Sequence, residues 1–100
     1  MNDVEYFINK FNAIPEGQWC TGQYTRLVDN TVQHCALGHC GFEGGLKRGY
    51  SNEALRLISL LGLETLIRIN DGEETRIPGA TPRARILNAL ALAAKNGGTL

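Results

Sequence analysis

One hundred residues, 43% of them hydrophobic and 20% charged, describe a single globular domain and exclude both a second core and an intrinsically disordered chain. Ten Lys and Arg balance ten Asp and Glu, so the cationic surplus on which generic nucleic-acid binding rests is absent. The balance holds in each half, with four basic and five acidic residues in 1–50 against six and five in 51–100, so no charged tail hides in the average.

In chain order, Val4, Phe7, Ile8 and Phe11 fall on one helical stripe, predicting an amphipathic helix from Asn2 or Asp3 to Ala13. Asp3 is the expected cap, and Pro15 closes the element because it pushes its predecessor out of the helical region. Residues 22–36 carry β-branched side chains around Asp29-Asn30, a pair that tolerates the positive φ of a two-residue turn. A hairpin pairing 23–28 with 31–35 is expected, and it must lean on the helices because two strands alone are marginal. A short helical turn follows near Cys35. The glycines Gly38, Gly41, Gly44, Gly45 and Gly49 then predict a loop, and no Gly-Lys-Ser/Thr marks it as a phosphate cradle.

Ser51 caps the next predicted helix, with Ala54, Leu55, Leu57, Ile58 and Leu61 as its apolar residues and Gly62 as a left-handed terminator. Leu63–Ile69 reads as a short helix ending at the turn signal Asn70-Asp71-Gly72. After the polar loop EETRIPGA, Thr81-Pro82 supplies a cap and an N1 proline for a last helix. Its buried face is expected at Ile86, Leu87, Leu90, Ala91 and Ala94, and Asn96-Gly97-Gly98 stops it. The sum is a mainly α member of the α+β class, with about four helices packed on one hairpin. The expected core is Phe7, Phe11, Trp19, Leu37, Leu55, Ile58, Leu61, Leu66, Ile86, Leu87 and Leu90, with Trp19 anchoring the hairpin on the helices.

Four short motifs occur in order: Trp19-x-x-Gly22, Cys35-Ala-Leu-Gly38, Asn70-Asp71, and Pro78-Gly79-x-Thr81-Pro82 before an apolar helix. This order resembles a family of small uncharacterised domains of bacteria and tailed phages. The resemblance spans residues 19–94, with extra residues between Asn70-Asp71 and Pro78 and with His39-Cys40 following the second motif. No activity is assigned to that family, so the resemblance implies fold and provenance rather than chemistry. Its phage members imply an accessory protein that acts on a host protein, such as a defence component.

The residues themselves offer three further readings. His34, Cys35, His39 and Cys40, with Cys20 upstream, hold enough nitrogen and sulfur for a tetrahedral zinc site, although no knuckle spacing pairs them. The same cluster contains the residue types of a thiol enzyme: Cys35 or Cys40 as nucleophile, His39 as base, and Asp71 or Asn70 to orient the imidazole. Arg76, Arg83 and Arg85 gather with Thr81 at the start of the last helix, where cations oppose the dipole unless an anion such as a nucleotide joins them. Lys47-Arg48 beside Gly49-Tyr50 is a competing basic surface. No cofactor is implied. No stretch nears the roughly 18 apolar residues of a membrane span. The acidic opening MNDVEYFINK is unlike a signal peptide, and three cysteines cannot pair fully. A cytoplasmic, non-enzymatic protein with reduced thiols and a protein partner is the expectation, with the contacts in loop 72–81 and the start of the last helix.

Overall fold

The computed structural model describes residues 2–41 and 50–100. The order is α1 (Asp3–Asn12), a 3-10 turn (Glu16–Gln18), β1 (Thr25–Val28), β2 (Thr31–His34), α2 (Ala36–His39), α3 (Asn52–Leu61), α4 (Leu63–Asp71) and α5 (Pro82–Lys95). The fold is therefore α+β and mainly α, with five helices among the described residues. Gly44, Gly45, Gly49 and the Lys47-Arg48 pair lie outside those residues. No described helix is long and apolar enough to cross a membrane.

Helix α5 is the spine on which α1, α4 and α3 pack, and α1 and α4 also touch α3. The caps follow the local chemistry, with one shift. Asn2, rather than Asp3, caps α1 by accepting from the Glu5 N–H at 2.8 Å, which leaves Asp3 in the first turn beside the positive pole. Ser51 and Thr81 accept from the Ala54 and Ala84 N–H groups as the sequence predicts. Gly62 takes a positive φ but an extended ψ, so it joins α3 directly to α4 instead of ending a left-handed cap. Gly72 does adopt the left-handed cap of α4.

The two apolar helices turn differently about their axes from the expected faces. Leu57 and Leu60 of α3 are buried where Leu55 is 48% exposed and Ile58 only partly covered. In α5 the buried set is Ile86, Ala89, Leu90 and Ala93, while Leu87 is partly covered and Ala91 and Ala94 are exposed. Both segments carry apolar side chains on more than one face, so spacing alone leaves the rotation open. Ile77, in the loop expected to be polar, is buried in the core.

Asp29 and Asn30 have φ of 49° and 65°, the two-residue turn that matches strand twist. The antiparallel register pairs Thr25 with His34, Arg26 with Gln33, Leu27 with Val32 and Val28 with Thr31. Trp19 bridges to His34 in parallel, and the Cys20 N–H donates to the His34 carbonyl at 3.0 Å, tying the hairpin base to the segment that leaves α1. Trp19 itself is buried edge-on to Phe11 at 5.3 Å, and its indole N–H donates to the Ile14 carbonyl.

Candidate functional site

Three of the sequence motifs converge on one residue. Asn70 is 2% exposed at the end of α4, and its Oδ1 accepts from the Ala36 N–H at 3.0 Å. Its amide donates to the Cys20 carbonyl at 2.9 Å and to Asp71 Oδ1 at 3.1 Å. Asp71 Oδ1 also accepts from the Gly22 N–H at 3.0 Å. One Asn-Asp pair thus ties α4 to the Trp19–Gly22 segment and to the first turn of α2. Gly38 completes the joint: a Cβ there would collide with the Tyr24 carbonyl and lie 2.9 Å from His34 Cβ, so only glycine lets α2 sit against the hairpin base.

A cleft of about 140 Å³ opens beside this joint, between the hairpin base, α2 and α4. Leu37, Leu66 and Ile67 form apolar wall, and Tyr24, Cys35 and Asp71 add polar groups. Sequence reasoning named Cys35 and Asp71 but missed Tyr24, Leu66 and Ile67 as cleft residues. Nothing local marks them, because the cleft exists only once α4 lies against the hairpin base.

The cysteines and histidines separate into different surroundings. Cys20, Cys35 and Cys40 are free and buried. Burial pushes the Cys20 and Cys35 thiols up, although the N–H groups of Gly38 and Leu37 partly offset this at Cys35. Cys40 is pushed up to about 12 by burial and by the Glu53 carboxylate. Such thiols stay protonated at neutral pH, which makes them poor nucleophiles. The His39 ring lies tilted against Trp19 at 4.6 Å and meets His34 at 5.1 Å, while its buried Nε2 has no hydrogen-bond partner among the described residues. Burial and the neighbouring His34 lower its pKa to about 4, against the opposing pull of the Gln18 carbonyl. His34 Nδ1 shares a hydrogen bond with the Thr25 hydroxyl at 2.9 Å. The His39 backbone N–H donates to the Cys35 carbonyl at 2.9 Å, and no side-chain hydrogen bond among the described residues joins the His39 ring to Cys35, Cys40 or Asp71. The catalytic set proposed from sequence is therefore not assembled. Nor do Cys20, His34, Cys35, His39 and Cys40 gather: among the described residues no three His, Cys, Asp or Glu side chains are grouped to hold a metal ion.

The arginine cluster faces inward. Arg85 donates to the carbonyls of Ile69 (3.0 Å), Asn70 (2.8 Å) and Gly79 (3.2 Å), so its guanidinium caps the C-terminus of α4. Arg83 donates to the Asn12 carbonyl and side chain, both at 2.9 Å, and fastens α5 to the end of α1. The Thr81 hydroxyl accepts as the α5 cap and donates to Glu16. Arg76 alone of the four projects from the fold, paired with Glu74 at 3.3 Å. The residues expected to receive an anion are in large part fastening the fold.

The hairpin is the surface that sequence reasoning passed over. Leu27 is 66% exposed, Val32 49% and Val28 38%. Leu27 and Val32 face each other across the ladder and so form one apolar patch. Arg26 and Gln33 brace the other face, with Arg26 donating twice to Gln33, whose amide donates to the Gly17 carbonyl. The signal was present: residues 25–34 carry apolar side chains at both odd and even positions, more than a ribbon with one covered face can bury.

No protein-family model, curated protein or solved structure matches the chain.

Proposed function

We propose that this is a small non-enzymatic binding protein of the cytoplasm that engages a protein partner through its hairpin. The observation that carries the reading is the Leu27–Val32 patch on a ribbon fixed at its base by Trp19, Cys20 and Gln33. Water-exposed apolar pairs on a rigid projecting element are what interfaces bury, and their pre-ordering lowers the entropic cost of association. The protonated thiols and the separation of His39 from them support a binding role over thiol chemistry. Free cysteines support a reducing compartment. The motif order around Trp19, Cys35 and Asn70 supports a bacterial or phage setting, with a host protein as partner.

The test uses the purified chain as bait in a bacterial lysate beside two variants. Leu27→Thr with Val32→Thr keeps strand propensity and removes the patch, whereas Arg76→Ala with Arg83→Ala removes arginines at the loop and the α5 start. A protein retained by the parent and the arginine variant but lost by the hairpin variant, with the hairpin variant folded by circular dichroism, supports the reading. Retention by the hairpin variant, or loss with the arginine variant while it is folded, overturns it.

A further inference from the structure

Among the described residues, the cleft between the hairpin base and α4 carries one charge. Asp71 lines it, and no cation among the described residues pairs with that carboxylate. Its two oxygens are not equivalent. Oδ1 accepts from both the Gly22 N–H and the Asn70 amide, which fills its lone-pair directions, while Oδ2 has no such donor among the described residues. Leu37, Leu66 and Ile67 give the cleft an aliphatic wall, with the uncharged polar groups of Tyr24 and Cys35 beside it. A space near 150 Å³ accommodates a guest of about benzene size, and this cleft of about 140 Å³ is of that order. The matching guest is a short unbranched alkyl stem that ends in a cation.

From this geometry we infer that the cleft is a binding site for a lysine side chain of a partner polypeptide. The methylenes pack on Leu37, Leu66 and Ile67, and the ammonium meets Asp71 Oδ2. Arginine fits less well. Its guanidinium fork engages both oxygens of a carboxylate at once, and here one of them is already spent on two internal donors. An ammonium is a point charge that needs only the remaining oxygen. Charge selects lysine over an apolar chain, since a charge-assisted hydrogen bond is worth more than tenfold in affinity. This site is separate from the Leu27–Val32 patch and does not depend on it.

The probe is the blocked tripeptide acetyl-Gly-Lys-Gly-amide, titrated into the full chain labelled with ¹⁵N, beside analogues carrying norleucine or arginine in place of lysine. Expected are saturable shifts of the Gly22, Leu37 and Asp71 amide signals with the lysine peptide. The norleucine peptide should bind about tenfold or more weakly, and the arginine peptide should also bind more weakly. Asp71→Asn keeps an Oδ1 for Gly22 and removes the charge, so it should abolish the preference for lysine over norleucine. Ile67→Phe, on the partly exposed wall, should weaken the lysine peptide while leaving Asp71 in place. Leu27→Thr with Val32→Thr should bind as the parent does, which tests the cleft apart from the hairpin. Absence of saturable shifts at those amides, equal binding of lysine and norleucine, or arginine binding as tightly as lysine would each overturn the inference. So would a folded Asp71→Asn variant that still prefers lysine.

Discussion

Asn70→Ala is expected to be among the most damaging single polar substitutions in this chain, and the structure sets its size. The side chain satisfies two backbone groups buried with it, the Ala36 N–H and the Cys20 carbonyl. Removing it strands both. A buried polar group left without its partner costs about 1–3 kcal/mol, so the pair predicts a loss of roughly 2–6 kcal/mol. Against a total near 5–15 kcal/mol for an ordinary domain, that is a large fraction. Urea titration followed through the fluorescence of Trp19, the one tryptophan, reads it directly. A loss below about 0.5 kcal/mol, the scale of neutral surface changes, would refute the joint described above.

Asn70→Asp isolates the chemistry from the volume. The replacement can still accept from the Ala36 N–H, but its second oxygen then faces the Cys20 carbonyl and Asp71 Oδ1, both acceptors. When protonated it can donate there; when ionised it cannot. The introduced carboxyl should therefore titrate high in the folded state, so that the folded variant binds more protons than its unfolded chain and loses stability as pH rises. A penalty relative to the parent that does not grow between pH 4 and pH 7 would show that the donated hydrogen bonds of Asn70 are unimportant.

Other consequences are simpler. The folded His39 pKa of about 4 lies below its ordinary 6.5, so the unfolded chain binds more protons between those values and stability falls as pH drops through that window, by at most about 3 kcal/mol. Denaturation of His39→Phe and the parent at pH 7 and pH 4 should show that part of the slope vanish in the variant. Arg85→Ala, which takes a donor from three carbonyls, of which that of Ile69 keeps the Gly72 N–H, should lower stability by about 2–4 kcal/mol, with Arg76→Ala within about 0.5 kcal/mol of the parent in the same urea titrations. Leu57→Ala should cost about 2–5 kcal/mol and Leu55→Ala about 1 kcal/mol or less, since only Leu57 is fully buried; equal losses would mean that the α3 face is misassigned.

How far the chain could be read follows from which interactions are local. Ser51, Thr81-Pro82, Asn70-Asp71-Gly72 and Asp29-Asn30 act on backbone within four residues of themselves, so their caps and turns were legible, apart from the shift from Asp3 to Asn2 at α1. Helix rotation was not. In α5 alanines and leucines fall on several faces, and the burial of Ala89 and Ala93 rather than Ala91 and Ala94 is set by where α1, α3 and α4 pack on it. The turn role of Asn70-Asp71 was legible, but its partners lie 34, 49 and 50 residues away, and no spacing rule reaches them.

The arginines show what kind of information was missing. Two cations in the first turn of α5 oppose that helix's positive pole, and an external anion is the local remedy. The fold supplies a different one. The start of α5 lies beside the end of α4, whose carbonyls form a negative pole, and Arg85 places its guanidinium on the carbonyls of Ile69 and Asn70 there. Arg83 likewise finds the Asn12 carbonyl at the end of α1. A cation unfavourable for its own helix is favourable for the helix that abuts it, and only the tertiary arrangement says which contribution prevails. The same packing moves the unsatisfied surface elsewhere. With Arg83 and Arg85 engaged inside the fold, the exposed groups among the described residues include the Leu27–Val32 pair and the Asp71 carboxylate at the cleft.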